Sequence, residues 1–442
     1  MRTDRSIRLA CAAVAVTLAV AAYVAEGAID LRLQGALGAV CLLVLLVACS
    51  SNPRAVNWRT VAWGIALQLV LAVLILKVEI AGVRPGYAFF KWVAAGVTQF
   101  LEFTNAGSRF VFGDLANQET LRKVLPPTGF VFAFTALPTI IFVSAFFTLM
   151  YYLGVLQLVV SLMARAMVVA MRTSGAETLS ATANIFMGHT EAPVIIKPYV
   201  PRLTRSELLA VMSGGLATIS GGMMAVYIGL GADPIAILTT SVMAAPCGLY
   251  VSKILVPEVE EPVTLGRVRV SVERTHANMM DALATGASDG MRLALNVAAM
   301  LIAFLAFLAM LDHILGLAFP GLTLSRIMGV LFAPVAVLMG VPRSDVPEIA
   351  DLLGTKLVAN EFIAFVKLTT EYSGVVSERS HVLATYALTG FANFGSIGML
   401  LGGLGGMAPE RRSDLARLAT RALLAGFVAT LINAAIASTM LP

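Results

Sequence analysis

Apolar residues in this chain run on for bilayer lengths, with neither a strand's alternation nor the one-sided stripe of a soluble helix. Such runs fall at about residues 7 to 25, 35 to 50, 60 to 77, 131 to 153, 208 to 230, 235 to 255, 290 to 311, 381 to 402 and 418 to 440. A spanning helix needs roughly 20 mainly apolar residues, about 30 Å at 1.5 Å per residue. The pattern therefore predicts nine crossings. Two further stretches are the wrong shape for spans. Residues 86 to 105 mix aromatics with Lys91 and Glu102, and residues 326 to 342 end at Gly340 and Pro342. Both are expected as helices lying along the membrane interface.

Composition sharpens this reading. Of 442 residues, 58% are hydrophobic and only 13% charged, and the mean hydropathy is +0.86. That excludes a soluble globular domain and a disordered chain. An all-α polytopic membrane protein is expected. The net charge of +5 fits lysines and arginines in cytoplasmic loops, and no basic run has the length or aromatic interleaving of a nucleic-acid binder. Arg2, Arg5 and Arg8 place the N-terminus in the cytoplasm, and Arg54 and Arg59 place the second loop there. Nine crossings then leave the C-terminus outside. Lys197, Arg202 and Arg205, the loop of about 256 to 285 with Lys253, Arg267, Arg269 and Arg274, and Arg411, Arg412, Arg417 and Arg421 agree with this orientation. The first run could pass for a signal peptide, but Tyr23 sits three residues before the tempting cut after Ala25, so a retained anchor is expected.

Two segments break the apolar pattern. The regions of about 175 to 200 and 345 to 372 are built around SATANIFMGHTEAPVIIKPYVP (180 to 201) and KLVANEFIAFVKL (356 to 368), and each of these two strings holds one carboxylate, Glu191 or Glu361. An ionised side chain at mid-membrane costs at least ~2.5 kcal/mol, so it normally faces protein or a watery cavity. Around Glu191 the backbone is primed to break, because Gly188 lowers helix preference and Pro193 and Pro198 lack amide donors. A non-helical tip is tolerated at depth only where it lines a cavity. Each segment precedes a run of small residues, SGGLATISGGMMAVYIGLG (213 to 231) and TGFANFGSIGMLLGGLGG (389 to 406). On the topology above the two units enter from opposite sides. Inverted pairs of interrupted segments point to a secondary transporter with alternating access.

Chemical motifs for other classes are missing. There is no HExxH or GxxxxGK[ST], so zinc hydrolases and ATP-driven pumps have no support. His276 and Asp281 make an isolated HxxxxD in a charged loop, and His313 and His381 lie near loops or span ends. Cys11, Cys41, Cys49 and Cys247 show no metal or redox spacing and read as packing residues. No enzyme and no cofactor are expected; a membrane-embedded enzyme would rest on Glu191 with His189 alone. A passive channel would share the glycine-rich helices but show no uptake against a gradient.

The chain resembles the concentrative nucleoside transporter family. The resemblance is carried by GHTEAP (188 to 193), GGLATISGG (214 to 222), VANEFIAF (358 to 365), GFANFGSIG (390 to 398) and GGLGGMAPERRSDLAR (402 to 417). LPTIIF (137 to 142), YYLGV (151 to 155) and SSNPRAVNWRTV (50 to 61) extend it over nearly everything from residue 35 onward. It implies an inverted-repeat transporter with two re-entrant hairpins, assembled as a homotrimer in a bacterial-type inner membrane. The parts would be an extra first helix (1–34), scaffold helices with an interfacial helix (35–174), the first hairpin and following helices (175–255), a loop, scaffold helix and interfacial helix (256–342), and the second hairpin and following helices (343–442).

By motif position the resemblance implies that His189, Thr190 and Glu191 contact the nucleobase, with Met223 nearby. Glu361, Asn393 and Ser396 would hold the ribose hydroxyls, and Phe391 would line the pocket. A coupling sodium would take oxygens from Asn184, Thr218 and the backbones of Met187 and Ile219. The chemistry is sound on its own terms: a diol donates two hydrogen bonds to a carboxylate, and sodium prefers hard oxygen ligands. Two positions depart from the family. His189 stands where glutamine is usual, exchanging an amide, donor plus acceptor, for an imidazole whose tautomer and charge the sequence leaves open, and the flexible Met223 replaces a branched residue. The imidazole beside Glu191 raises proton coupling as the alternative to sodium.

Overall fold

The computed structural model describes residues 2–24, 29–80, 82–117, 120, 121, 123, 131–266 and 276–441. Ala25, Arg267, Arg269 and Arg274, used above to judge cleavage and orientation, lie outside them. The described chain is helical throughout, its only β features being two isolated bridges, Ile80 to Val83 and Ser174 to Leu265. Backbone groups that cannot reach water must pair within their own segment, which a helix achieves.

The peripheral helices are α1 (Arg2–Val24), α2 (Leu31–Ala48), α3 (Trp58–Leu76), α4 (Pro85–Phe112), α5 (Phe132–Tyr152) and α6 (Val155–Met171). Then come α7 (Gly175–Ala183), α8 (Arg205–Ala217), α9 (Gly221–Leu230) and α10 (Pro234–Leu255). The 40-residue α11 (Met279–Ala318) and the shorter α12 (Leu324–Leu338) lead to α13 (Val346–Val358), α14 (Glu361–Thr369), α15 (Glu378–Leu388), α16 (Phe394–Met407) and α17 (Arg412–Met440). Among the described residues eight segments are long and apolar enough to cross a membrane. They match eight of the nine predicted runs. The ninth, 381 to 402, is not one helix, and the matched run 208 to 230 is itself broken at residues 218–220. The ninth is interrupted at residues 389–393, between α15 and α16, because Thr389, Gly390 and Asn393 give the chain alternatives to the helical ladder.

Two helices depart from the pattern reading. The 17-residue α6 falls short of a span and carries Arg165, so apolar run length did not reveal it. At about 1.5 Å per residue, the 40 residues of α11 far exceed the expected run of 290 to 311. The stretches expected to lie along the interface form α4 and α12, and α4 leaves Phe89, Trp92, Phe103 and Phe110 exposed.

Burial separates core from periphery. The apolar windows of Arg205–Leu230, Pro234–Leu255 and Pro409–Met440 are 94%, 83% and 83% buried, against 11% for Asp4–Val24 and 12% for Met279–Ala318. The former are clothed by protein and the latter present apolar side chains outward, as lipid-facing helices do. Buried polar contacts pin the core together. Tyr250 Oη donates to Gln68 (2.7 Å), whose amide donates to Asn433 (2.5 Å), joining α3, α10 and α17. At the start of the first hairpin, Lys253 pairs with Glu177 (2.8 Å) and Glu258 (3.1 Å) and donates to Ser206 (3.0 Å), tying α10 to α7 and α8.

Two units repeat within this core. In the first, α7 runs inward and the chain returns as a 3-10 helix over Ala192–Arg202, where Pro193, Pro198 and Pro201 deny it an α-helical ladder. A broken helix follows, α8 and α9 separated by residues 218–220, and then α10. In the second, α13 and α14 make the hairpin, α15 and α16 the broken helix, and α17 the last span. Capping boxes start α7 (Ser174 with Glu177) and α8 (Thr204 with Glu207).

Candidate functional site

The first hairpin turns at residues 184–191. Gly188 donates its amide to a Glu191 carboxylate oxygen (3.2 Å). Glu191 is exposed by surface area yet lies deep among protein atoms, and the space it opens onto is an interior cavity. His189 is buried, its ring set edge-on to Phe391 at 4.9 Å between centroids. Neither imidazole nitrogen has a hydrogen-bond partner among the described residues. Thr190 approaches α16, where a methyl group on Gly403 would come within 3.2 Å of its side chain.

The second hairpin breaks at Ala359 and Asn360. Asn360 caps α14, accepting from the Ile363 amide (2.9 Å), which holds Glu361 in the first turn of the helix. The Glu361 carboxylate accepts from Tyr227 Oη at 3.1 Å through one oxygen and from the Asn393 side chain at 2.8 Å through the other. A carboxylate offers about four lone-pair sites, so about two remain. Asn393 in turn caps α16 by accepting from the Ser396 amide (2.8 Å), and the Ser396 hydroxyl is buried without a partner among the described residues.

The two broken helices cross at their breaks. The Phe391 amide donates to the Thr218 carbonyl (3.1 Å), so the unwound residues of one repeat satisfy those of the other. Gly390 makes this approach possible: a Cβ there would lie 2.6 Å from the Thr430 methyl and 3.0 Å from the Leu216 carbonyl oxygen. Gly390→Ala should therefore drive the breaks apart and cost about 1–3 kcal/mol of overpacking. A clear fall in the thermal unfolding midpoint of the purified protein is expected, and an unchanged midpoint would mean the crossing has slack.

All eight residues predicted to hold a solute, His189, Thr190, Glu191, Met223, Glu361, Phe391, Asn393 and Ser396, line one cavity of about 140 Å³. It is closed by Leu293, Asn296 and Val297 of α11, and Ser220, the N-cap of α9, also reaches it. The predicted ion ligands gather beside it. Asn184 is fully buried, with neither amide atom partnered among the described residues, and it rests against Gly214 and Gly215 of α8. The Thr218 hydroxyl donates to the Gly214 carbonyl (3.0 Å), and the Gly221 amide donates to the Phe186 carbonyl (2.9 Å), tying the first hairpin tip to the start of α9. An orphaned buried amide next to unwound carbonyls is a hard-oxygen donor set that suits a small cation.

Pattern reading missed Tyr227, Asn296, Asn360 and Ser220. Asn360 and Ser220 sit inside the motifs VANEFIAF and GGLATISGG, where an N-cap signal was legible. Tyr227 and Asn296 lie in ordinary apolar helix and are identified only by what they face. His276 and Asp281 pair at 3.8 Å beside the start of α11, where Asp281 also accepts from the Ala277 amide (2.9 Å), as a helix-start carboxylate does.

Family signatures described as Na+ dependent nucleoside transporter N-terminus, nucleoside recognition, and Na+ dependent nucleoside transporter C-terminus match residues 37–115, 133–234 and 236–438. The sodium/nucleoside cotransporter 1 of Mus musculus is 41% identical over 423 residues, 91% of this chain but 63% of the relative. The chain thus spans under two thirds of the length of such mammalian relatives. An uncharacterized transporter of Haemophilus influenzae is 41% identical over 415 residues, covering 92% of this chain and 97% of its own. The structure of CNTnw in an inward-facing substrate-bound state superposes with a TM-score of 0.88 at 38% identity, covering 93% of this chain and 98% of that one. A CNTnw variant in an outward-facing state gives 0.87 at 37%, with the same coverage. With matching signatures from residue 37 to 438 and two broken hairpin units meeting at one cavity, this chain belongs to the concentrative nucleoside transporter family.

Proposed function

We propose that this protein imports nucleosides by symport with sodium, through alternating access. The observation that carries the reading is the single cavity into which both hairpin tips and both helix breaks open, with Glu191 and Glu361 on its wall. Glu361, Asn393 and Ser396 take the ribose: the carboxylate accepts from the diol, and the Ser396 hydroxyl gains the partner it lacks among the described residues. His189, Thr190 and Glu191 read the base, with Phe391 and Met223 as apolar walls. Sodium binds Asn184, Thr218 and the carbonyls of Met187 and Ile219, so the ion and the solute share the first hairpin tip. Binding of one preorganises the other, which is the coupling.

At about 140 Å³ the cavity is smaller than the roughly 300–1,000 Å³ of ordinary small-molecule pockets. Admission therefore needs the hairpin units (175–255 and 343–442) to move against the scaffold helices. We place the protein as a homotrimer in a bacterial-type inner membrane, N-terminus inside and C-terminus outside, on the arginine distribution. The test is uptake of labelled uridine and adenosine into proteoliposomes under separate sodium and proton gradients. Accumulation driven by sodium is expected; no accumulation under either gradient would reject symport.

Proton coupling is the second reading, favoured by the unpartnered His189 ring in the cavity wall. His189→Gln restores an amide with one donor and one acceptor face. It is expected to shift the uridine-to-adenosine preference several-fold or flatten the pH profile of uptake. If both stay unchanged, the ring serves packing only.

A further inference from the structure

The two repeats end their broken helices alike and complete them differently. Helix α8 stops at Ala217 and the next hydroxyl, of Thr218, donates four residues back to Gly214 (3.0 Å). Helix α15 stops at Leu388 and the next hydroxyl, of Thr389, donates four residues back to Thr385 (2.6 Å). The two threonines are thus equivalent. Each half-helix ends in carbonyls without intrahelical donors, a negative dipole end buried in protein.

In the first repeat that end faces the unpartnered amide of Asn184. In the second it faces Lys356, a wholly buried lysine whose Nζ donates to the Ala387 carbonyl (2.7 Å) and to Thr430 Oγ1 (2.9 Å). Thr430 gives its own proton to the Phe427 carbonyl (2.8 Å), so toward Lys356 it is an acceptor. The Phe427 ring lies 5.3 Å from Nζ. A carbonyl, a hydroxyl lone pair and an aromatic face are the partners of a cation. Lys356 stands two residues before the end of α13, and Ala181 stands two before the end of α7. Ala181 packs on Gly214 of α8, as Lys356 reaches α15, so both lie on corresponding faces of their hairpins.

We propose that Lys356 is a tethered cation, holding in the second repeat the place for which the first repeat recruits its coupling ion. This rests on the sodium-symport reading. Its amine satisfies the α15 carbonyl end from within the chain, at Ala387 and Thr430, with no mobile ion there. One free cation per nucleoside then suffices. Without the lysine the second helix end would need a mobile ion as well.

The test uses the full chain in proteoliposomes, comparing wild type with Lys356→Gln, Lys356→Met and Lys356→Arg. Uridine uptake is measured against sodium concentration together with charge moved per nucleoside, with choline as the control cation. Wild type and the arginine variant should show a Hill coefficient and a charge ratio near one, and the neutral variants should rise toward about two in both. Neutral variants that transport with wild-type values overturn the proposal. For a neutral variant that does not transport, sodium-dependent thermal stabilisation decides. A steeper, two-site response supports the tethered cation; a wild-type response, or failure to fold at any sodium concentration, overturns it. A wild-type protein indifferent to sodium would instead reject the symport reading.

Discussion

Replacing Glu361 by glutamine is expected to abolish ribonucleoside uptake in a protein that still folds and inserts. The carboxylate accepts from Tyr227 at 3.1 Å and Asn393 at 2.8 Å, both of which are donors. Glutamine keeps both partners only by accepting from Asn393 with its single oxygen and donating its NH2 group to the Tyr227 hydroxyl, which leaves one acceptor oxygen where the carboxylate had two. The ribose loses more. Hydrogen bonds to a charged acceptor are worth about 1.5–3 kcal/mol each, so two to the diol amount to roughly 3–6 kcal/mol, some hundredfold to ten-thousandfold in affinity. The deficit should depend on the sugar, and a 2′-deoxynucleoside, with one hydroxyl fewer, should lose less on the same substitution. Uptake and equilibrium binding of uridine and deoxyuridine measure this directly. Wild-type uridine uptake by the glutamine variant would remove Glu361 from the ribose site.

Asn184→Ala should separate the ion from the solute. Both polar atoms of this amide are buried and unpartnered among the described residues, at a cost of about 1–3 kcal/mol wherever no ligand repays it. The alanine variant is therefore expected to be at least as stable as wild type in sodium-free buffer, the reverse of an ordinary core truncation. It should lose most of the extra stability that sodium confers. Its half-saturating sodium concentration for uptake should rise at least about tenfold, the equivalent of one lost ligand at ~1.4 kcal/mol. Uridine affinity at saturating sodium should change little. A variant less stable than wild type without sodium, yet with an unchanged sodium response, would make Asn184 a packing residue.

The paired breaks show how far chain pattern reaches. Glycines and prolines around Glu191 marked a segment that could not continue as a helix, and the returning limb Ala192–Arg202 is indeed a 3-10 helix. The break between Leu388 and Phe394 fell inside an apolar run long enough to span. Run length sums hydropathy and does not register where the ladder stops, so 208 to 230 and 381 to 402 both read as continuous. Helix α6 was overlooked for the complementary reason, being shorter than a bilayer needs.

Side-chain chemistry divides in the same way. Glu191 and Glu361 stood out because charge in an apolar run is costly wherever it lands. Tyr227 and Lys356 did not. A tyrosine in an apolar helix carries no such signal, and Lys356 reads as the near-terminal lysine of a short amphipathic helix until its amine is seen against Ala387 and Thr430. Membrane residence, the location of the crossings and the two acidic interruptions follow from composition and order, since the cost of placing polar groups in hydrocarbon is paid locally, residue by residue. The crossing of the two breaks, the Tyr227–Glu361–Asn393 chain and the lysine behind it come only from folding, because each joins residues far apart in the chain (134 positions between Tyr227 and Glu361) whose contact no local pattern encodes.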